Sequence, residues 1–356
     1  MTKISSLYNI ILKCYGNVTS ILPFGYALPP VHIYYDVTKD CNLNCSFCIS
    51  RHLKQYNTIN DISDNNSMLV FKSLIKQLPK FSLLSFTGGE PLMSPKFLDI
   101  AKCASTSHRT SLITNGTLIS DTVAKDLVKI GAATLISKGL IAIDVSLHGN
   151  REIHNLSVGN NAAYDLATEG IRRVIYYKKR ERKKYPIVNL RCIINPHNYT
   201  LLKDMLEVGK ELGVDIYTFS LLSCIGSQFL SEGFRECIDS DVLKDELNGL
   251  FEKARECKLE IWFSPSELPI FEIVRYYSKK TNLSQYRCVF PWSRAVVSFN
   301  GDFLICRRYL IGNLKQQRFI KLWNNISSRK FRLHLKRSIL TEDCLGCCGM
   351  IFTGKG

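Results

Sequence analysis

The sequence predicts an α/β protein, a parallel barrel-like sheet followed by a small cysteine-rich module, and three observations predict it. Short apolar runs alternate with helical patterns from residue 31 to residue 221, the rhythm of parallel βαβ units. Three cysteines, Cys41, Cys45 and Cys48, fall directly after the first apolar run. Past residue 286 the composition changes, and Cys288, Cys306, Cys344, Cys347 and Cys348 appear. With 356 residues the chain exceeds a typical single core, so a large domain with a smaller companion is expected.

Taken in order, Ile4, Leu7, Tyr8, Ile11 and Leu12 form a helical stripe, and Pro23, Gly25, Pro29 and Pro30 form a connector. The first strand spans 31–37. A helix over 67–78 carries Leu69, Leu74, Ile75 and Leu78 on its spacing, and Pro79 ends it. The strand at 81–86 is bounded by Pro79 and by Gly88-Gly89. Helices near 95–105, 121–130, 161–178 and 199–212 then alternate with strands at 110–114, 140–146, 187–194 and 215–221. Six strands are too few for a closed eight-stranded barrel. A linking region over 226–285 holds a helix at 240–257 and a strand at 259–263. In the last part, Asn300-Gly301 between the apolar runs 295–299 and 303–305 predicts a β-hairpin. The expected units are therefore 1–30, 31–225, 226–285 and 286–356.

Composition narrows the class. Hydrophobic content is 46% and charged content 22%, as in an ordinary globular protein. No run of eighteen apolar residues occurs, so no membrane span is expected. The N-terminus lacks a sustained apolar export core. Fourteen cysteines in a chain of this length do not read as a secreted disulfide framework, and a cytosolic location follows as the expectation. Net charge is +16. The basic runs at 178–184 and 329–337 read either as solvated helix ends or as a surface for an anionic partner, such as an acidic peptide or nucleic acid.

Soft thiolates suit iron, and a short loop after a strand can aim three of them at one iron–sulfur cube. Three ligands leave one iron open to a cofactor or substrate. Zinc is the competing reading, although zinc ribbons pair two CxxC elements and this loop has only Cys45/Cys48. Thr87-Gly88-Gly89-Glu90-Pro91 follows the second strand. Its glycines allow close backbone approach to a ligand, and its carboxylate can accept bonds from an amine. Thr114-Asn115-Gly116 and Ser146-Leu147-His148-Gly149 end the third and fourth strands, where both could be simple turns.

The CxxxCxxC spacing with Phe47 before its last cysteine resembles the signature of radical S-adenosylmethionine (radical SAM) enzymes, and residues 88–91 resemble that family's GGEP motif. The resemblance implies an open (β/α)6 barrel and a 4Fe–4S cluster on Cys41, Cys45 and Cys48. It also implies reductive cleavage of SAM to a 5′-deoxyadenosyl radical. Gly88, Gly89 and Glu90 then hold the cofactor's amino group, with Asn115 and Ser146 as further contacts. Sulfatase-maturase-like relatives carry an arginine where this chain has Val158, so Arg191 on the fifth strand becomes the candidate cation for the cofactor carboxylate. His148 replaces a commoner aspartate. Cys288, a glycine at 301, Cys306, and Cys344-x2-Cys347 resemble the twitch form of the SPASM module. That module supplies four thiolates to one auxiliary 4Fe–4S cluster, with Cys348 a spare thiol beside the loop, so that two of Cys344, Cys347 and Cys348 complete the set; a four-cysteine zinc is the alternative. Cys224, after the sixth strand, is a candidate hydrogen-atom donor against a packing role. Most of Cys14, Cys103, Cys192, Cys237 and Cys257 are expected to be buried hydrophobes.

The resulting expectation is a radical SAM enzyme that carries out oxidative crosslinking or dehydrogenation of a ribosomally made peptide. A donor such as flavodoxin or ferredoxin would supply its electrons. The first 30 residues are expected to be too short for a leader-binding domain. A sugar or aminocyclitol dehydrogenase and a radical epimerase are the enzymatic alternatives. A basic, metal-stabilised nucleic-acid-binding protein and a two-cluster electron carrier are the others, and neither explains residues 88–91.

Overall fold

The computed structural model describes residues 3–52, 64–225, 233–266, 268–338 and 340–354. Helix α1 (Lys3–Ser20) leads into strand β1 (His32–Thr38), followed by α2 (Ile49–His52), α3 (Asp64–Gln77) and β2 (Leu83–Gly88). The chain continues through α4 (Phe97–Ser105), β3 (Arg109–Thr114), α5 (Asp121–Lys129), β4 (Gly139–Ser146), α6 (Arg151–Val158) and α7 (Ala163–Arg180). Then come β5 (Ile187–Ile193), α8 (Leu202–Leu212), β6 (Ile216–Ser220), α9 (Ser240–Cys257), β7 (Glu260–Ser264) and α10 (Ile270–Tyr277). Strands β1 to β7 lie side by side in sequence order, every pair parallel. The α/β class and its parallel sheet match the expectation.

Period-two alternation explains the layers. Ile33 and Tyr35, Leu84 and Phe86, Ile143 and Val145, Val188 and Leu190, and Tyr217 and Phe219 join one core under the helices. The alternate residues are largely polar. His32 Nε2 sits 2.7 Å from Ser85 Oγ, Thr218 Oγ1 donates to Asn189 Oδ1 at 3.0 Å, and Arg191 pairs with Asp144 at 2.9 Å. Tyr34, Ile113, Arg191 and Ser220 of this second face line a cavity, so this face is the concave interior of the open barrel.

The C-terminal part contains β8 (Tyr286–Cys288), α11 (Phe290–Ser293), β9 (Arg294–Ser298), β10 (Asp302–Cys306), β11 (Tyr309–Asn313), α12 (Phe319–Trp323), α13 (Ile326–Arg337) and β12 (Met350–Phe352). The expected hairpin is β9–β10, with Gly301 at φ +91° in the turn, a conformation glycine adopts without steric cost. Strand β9 also pairs in parallel with β1, from His32↔Arg294 to Asp36↔Ser298. The module thus continues the barrel sheet to ten strands instead of standing apart. Composition carries no sign of this, because pairing between β1 and β9 is a long-range choice.

Two further differences matter for the site. The strand at 259–263 becomes β7, a seventh parallel strand. Helix α6 occupies a stretch for which no helix was expected; Asn150 caps it by accepting from Ile153 N, and Gly159 ends it in the left-handed conformation. At the other end of the chain, Arg332 is fully buried and ties the N-terminal connector to the module. Its guanidinium donates to Pro291 O, Gly25 O, Asn324 Oδ1 and Trp323 O. No helix among the described residues is long and apolar enough to cross a membrane.

Candidate active site

The cysteine loop rests on the C-terminal end of α6. Asn44 N donates to Val158 O at 2.9 Å, Ser46 N to Ser157 O at 3.2 Å, and Arg51 Nη2 to Leu43 O at 2.8 Å. Beneath it Leu43, Val158 and Ala163 form a small apolar pad with Cys45 against them. Val158 is therefore a buried packing position. Burial, followed by the neighbouring Cys48 and Cys41 thiols, pushes Cys45 up to about 12. A bound cation supplies the charge that makes such thiols give up their protons.

The loop is also stitched to β3. Asn115 Nδ2 donates to Asn42 Oδ1 at 2.8 Å and reaches to 4.0 Å from Cys41 Sγ. Asn42 Nδ2 donates to Thr117 Oγ1 at 2.9 Å, and Thr117 N donates to Asn115 Oδ1 at 3.0 Å. Asn42 and Thr117 were not singled out in the sequence, although Asn42 lies inside the cysteine spacing itself.

Gly88 and Gly89 have a steric reason to be glycine. A Cβ on Gly88, at φ +125°, would meet Thr38 O at 2.3 Å, and one on Gly89 would meet Asp40 O at 2.0 Å. Gly89 N donates to Thr38 O and Glu90 N to Asp40 O, which locks the entry of the cysteine loop onto the end of β2. Glu90 is buried, and its carboxylate accepts from Leu92 N at 3.0 Å, Thr114 Oγ1 at 2.7 Å and Asn115 N at 2.7 Å. Burial raises its pKa against the lowering effect of these donors. Glu90 thus holds the ends of β2 and β3 together beside the loop.

Ser146 ends β4 opposite Arg191 on β5. Arg191 faces the cavity but is already paired with Asp144, and it donates to Ser220 Oγ at 3.3 Å. His148 is buried. Its Nδ1 accepts from Ile193 N at 3.2 Å, and its ring meets Phe47 edge-on at 4.8 Å. Burial and then His154 push His148 down to about 3, and burial pushes His154 down to about 4. Both are neutral imidazoles that brace the loop.

A cavity of about 1060 Å³ separates the loop from the C-terminal module. Phe47 and Ile49 form one side; Cys288, Cys306, Cys344, Cys347 and Cys348 lie on the other. All five are free thiols. Backbone N–H groups point at two of them, Arg308 N to Cys306 Sγ and Gly349 N to Cys347 Sγ, each at 3.4 Å. Cys347 and Cys348 share a hydrogen bond that raises the first and lowers the second, with Arg294, Arg307 and Arg191 lowering Cys348 further. Among the described residues no three ligating side chains converge on a single-ion site. What suits both sets to clusters is their donor chemistry, soft thiols with backbone N–H groups turned to sulfur.

The module is pinned here by Arg307, whose Nη1 lies 3.0 and 2.9 Å from the two oxygens of the buried Asp36 on β1. Sequence reading did not find this pair, which spans 271 residues. Cys224, for which a donor role stood against a packing role, is buried. It lies behind the cavity lining, 1% exposed, with its thiol 3.6 Å from Tyr276 Oη. Its backbone N donates to Leu345 O at 3.0 Å. Leu221, Ser223 and Ile225 line the cavity instead, because the chain after β6 turns this thiol into the core.

An open parallel barrel with a three-cysteine loop at its mouth, facing a second thiol set, defines a radical SAM enzyme with an auxiliary cluster module. Residues 35–174 match the radical SAM superfamily, and residues 288–348 match the SPASM iron–sulfur cluster-binding domain. The chain carries a radical SAM domain followed by a SPASM domain, and its cofactors are SAM and 4Fe–4S clusters. It is similar to the tungsten-containing aldehyde ferredoxin oxidoreductase cofactor-modifying protein of Pyrococcus furiosus, at 23% identity over 345 residues, 89% of this chain and 86% of that one. It is also similar to Fe-coproporphyrin III synthase of Methanosarcina barkeri, at 26% identity over 334 residues, 86% and 76% of the two chains. Among solved structures, Streptococcus suis SuiB bound to its precursor peptide SuiA shares the fold. The TM-score is 0.63 at 14% identity, over 92% of this chain and 70% of that one.

Proposed function

We propose that this enzyme oxidatively modifies a ribosomally made peptide, forming a crosslink or a new double bond. One observation carries the reading: Phe47 of the cysteine loop and the second thiol set line a single cavity. Cys41, Cys45 and Cys48 would hold the SAM-binding cluster, with Gly88, Gly89, Glu90, Asn115, Ser146 and Arg191 around the cofactor. Cys288, Cys306, Cys344 and Cys347 would hold the auxiliary one. When bound, these groups supply one-electron cleavage of SAM, hydrogen-atom abstraction and an electron acceptor.

The chain's own residues do the rest. Phe47, Phe290 and Tyr34 give the cavity apolar walls that exclude water from a reactive intermediate. Net loss of two hydrogens leaves the substrate as one hydrogen atom, one proton and one electron, and needs no thiol donor. Cys224, buried behind the wall, fits that balance better than it fits epimerisation. The peptide-bound SuiB structure supports a peptide substrate. A reducing cytoplasm with flavodoxin or ferredoxin as electron source suits two oxygen-labile clusters.

A second reading has its own support. Two of the relatives that match over most of both chains are named for a cofactor and for Fe-coproporphyrin III, so a large anionic small molecule is the rival substrate. The test gives reconstituted enzyme SAM and dithionite, and then either the small peptides encoded beside its gene or Fe-coproporphyrin III. A peptide that raises 5′-deoxyadenosine formation and emerges two mass units lighter supports the proposal. A response to the porphyrin alone overturns it.

A further inference from the structure

The two basic runs of the chain have different settings. In the run at 178–184, Lys178 pairs with Asp215 at 2.8 Å, Lys183 lies 3.7 Å from Glu181, and Arg180 sits over the Tyr177 ring. In the run at 329–337, Arg332 is buried, whereas Arg329, Lys336 and Arg337 form no ion pair among the described residues. Composition explains the difference. Neither 1–35 nor 303–341 contains an aspartate or a glutamate, and the fold lays these two stretches against each other. Arg332 donates to Gly25 O, Lys336 Nζ donates to Ser20 O at 3.1 Å, and the Arg329 guanidinium lies 4.4 Å from the Tyr26 ring centre.

Beside those cations runs an apolar ridge. Ile10, Cys14 and Val18 are exposed on α1 at a spacing of four, so they share one outward side. Ile21 and Phe24 extend the ridge past the helix end, 73% and 74% exposed. Phe24 adopts φ +55°, a left-handed conformation that a bulky residue takes only under strain. Gly25 follows at φ +75°, where a Cβ would collide with Arg329 O. The backbone is thus strained to hold a phenylalanine in water, and within the monomer little packing offsets that strain.

An apolar ridge flanked by unpaired cations suits the interface of an anionic bilayer, with the ridge among acyl chains and the cations at the phosphates. A second copy of this chain fits less well, because a two-fold contact would set Arg329, Lys336 and Arg337 against their own counterparts. Nucleic acid would leave the ridge in water.

We infer that this face, made of the α1 ridge, the connector and the basic side of α13, docks the enzyme on an anionic phospholipid membrane surface. The other side of α13, with Phe331, His334 and Leu335, lines the active-site cavity, so one helix carries both surfaces. The test mixes full-length reconstituted enzyme, without substrate, with vesicles of phosphatidylcholine alone or with one third phosphatidylglycerol. Co-sedimentation reports binding, and hydrogen exchange maps the contact. Binding to the anionic vesicles should be at least about tenfold tighter than to the neutral ones and should fall with salt. Protection should appear in α1, the connector and α13. Ile21→Ser combined with Phe24→Asn should weaken binding at least about tenfold. Asparagine tolerates the left-handed backbone, and unchanged iron content and melting temperature check the fold. Lys336→Glu combined with Arg337→Glu should weaken binding similarly and erase the preference for anionic lipid. Ile136→Ser, 83% exposed between α5 and β4, should bind as wild type does. Should the ridge variant not fold, the charge variant and the exchange map of the wild type still decide. No vesicle binding, equal binding to both vesicles, binding unchanged in both double variants, or protection elsewhere overturns the inference. Binding of duplex DNA without vesicle binding assigns the cations to nucleic acid and overturns it. Dimerisation abolished by the same variants, without vesicle binding, assigns the face to self-association and also overturns it.

Discussion

The two thiol sites, the cysteine loop and the C-terminal set, are built in opposite ways. The cysteine loop draws its three sulfurs from one stretch of eight residues, and backbone bonds to α6 and side-chain bonds to β3 hold it. The auxiliary wall draws on Cys288 beside β12, Cys306 at the end of β10, and the loop carrying Cys344 and Cys347. Those pieces meet only because β9 docks on β1, Arg307 reaches Asp36, and Gly346 packs against the Leu222 carbonyl. A local site needs only its own loop and the rim beneath it. A gathered site depends on the whole module and, in return, stabilises it when metal binds.

Removing thiols gives the largest test of that contrast. Alanine at Cys41, Cys45 and Cys48 together should abolish 5′-deoxyadenosine formation and remove about four iron per chain, while leaving about four in the module. Cys306→Ala should instead strip the module's iron and lower its melting temperature, yet leave substrate-free SAM cleavage in place. Loss of SAM cleavage along with the module would show that the loop is not locally determined.

The next test cuts the tether without touching a thiol. Asp36 is fully buried and its partner Arg307 is about one-quarter exposed. Breaking a buried pair by removing one member costs about 3–5 kcal/mol. Asp36→Asn should therefore lower stability in urea by about 3 kcal/mol, with hydrogen exchange rising first in β10 and β11. Uniform exchange across β1 to β7 as well would mean that barrel and module unfold as one unit.

The smallest effect concerns the brace under the loop. His154 is fully buried and held down to about 4, below its unfolded value near 6.5. The unfolded chain therefore binds the extra proton first as pH falls. The stability from keeping His154 neutral is complete above about pH 6.5 and declines down to about pH 4. His154→Gln should remove part of this acid sensitivity, up to about 1.4 kcal/mol per pH unit in that window. Urea midpoints at pH 7.5 and 5 measure it; equal slopes in variant and wild type would exclude His154 as the titrating group.

Much of this was legible in order along the chain. The strand and helix rhythm, the loop cysteines and the glycines at 88 and 89 all lie in short windows whose period or spacing carries the physics. Helix α6 was missed, although Asn150 and Gly159 mark both its ends, because its pattern is only eight residues long. Glu90 was identified as a site residue, but that its carboxylate is shared among Leu92, Thr114 and Asn115 depends on two strand ends meeting. The burial of Cys224 depends on a similar long-range choice. Chain position put it at the barrel mouth, whereas the side toward which a residue points after a strand depends on backbone geometry and neighbours such as Tyr276.

By itself the sequence determined the chemistry on offer: three soft ligands at a spacing one loop can satisfy, glycines where backbones must touch, and five further thiols in the C-terminal part. Those features act over distances set by covalent geometry, so they survive being read as a string. Tertiary structure alone decided what faces what. The docking of β9 on β1, the polar face of the barrel and the Asp36–Arg307 tether each join residues far apart in the chain. Such pairings are selected by the free energy of the whole packed state, and no local pattern encodes them.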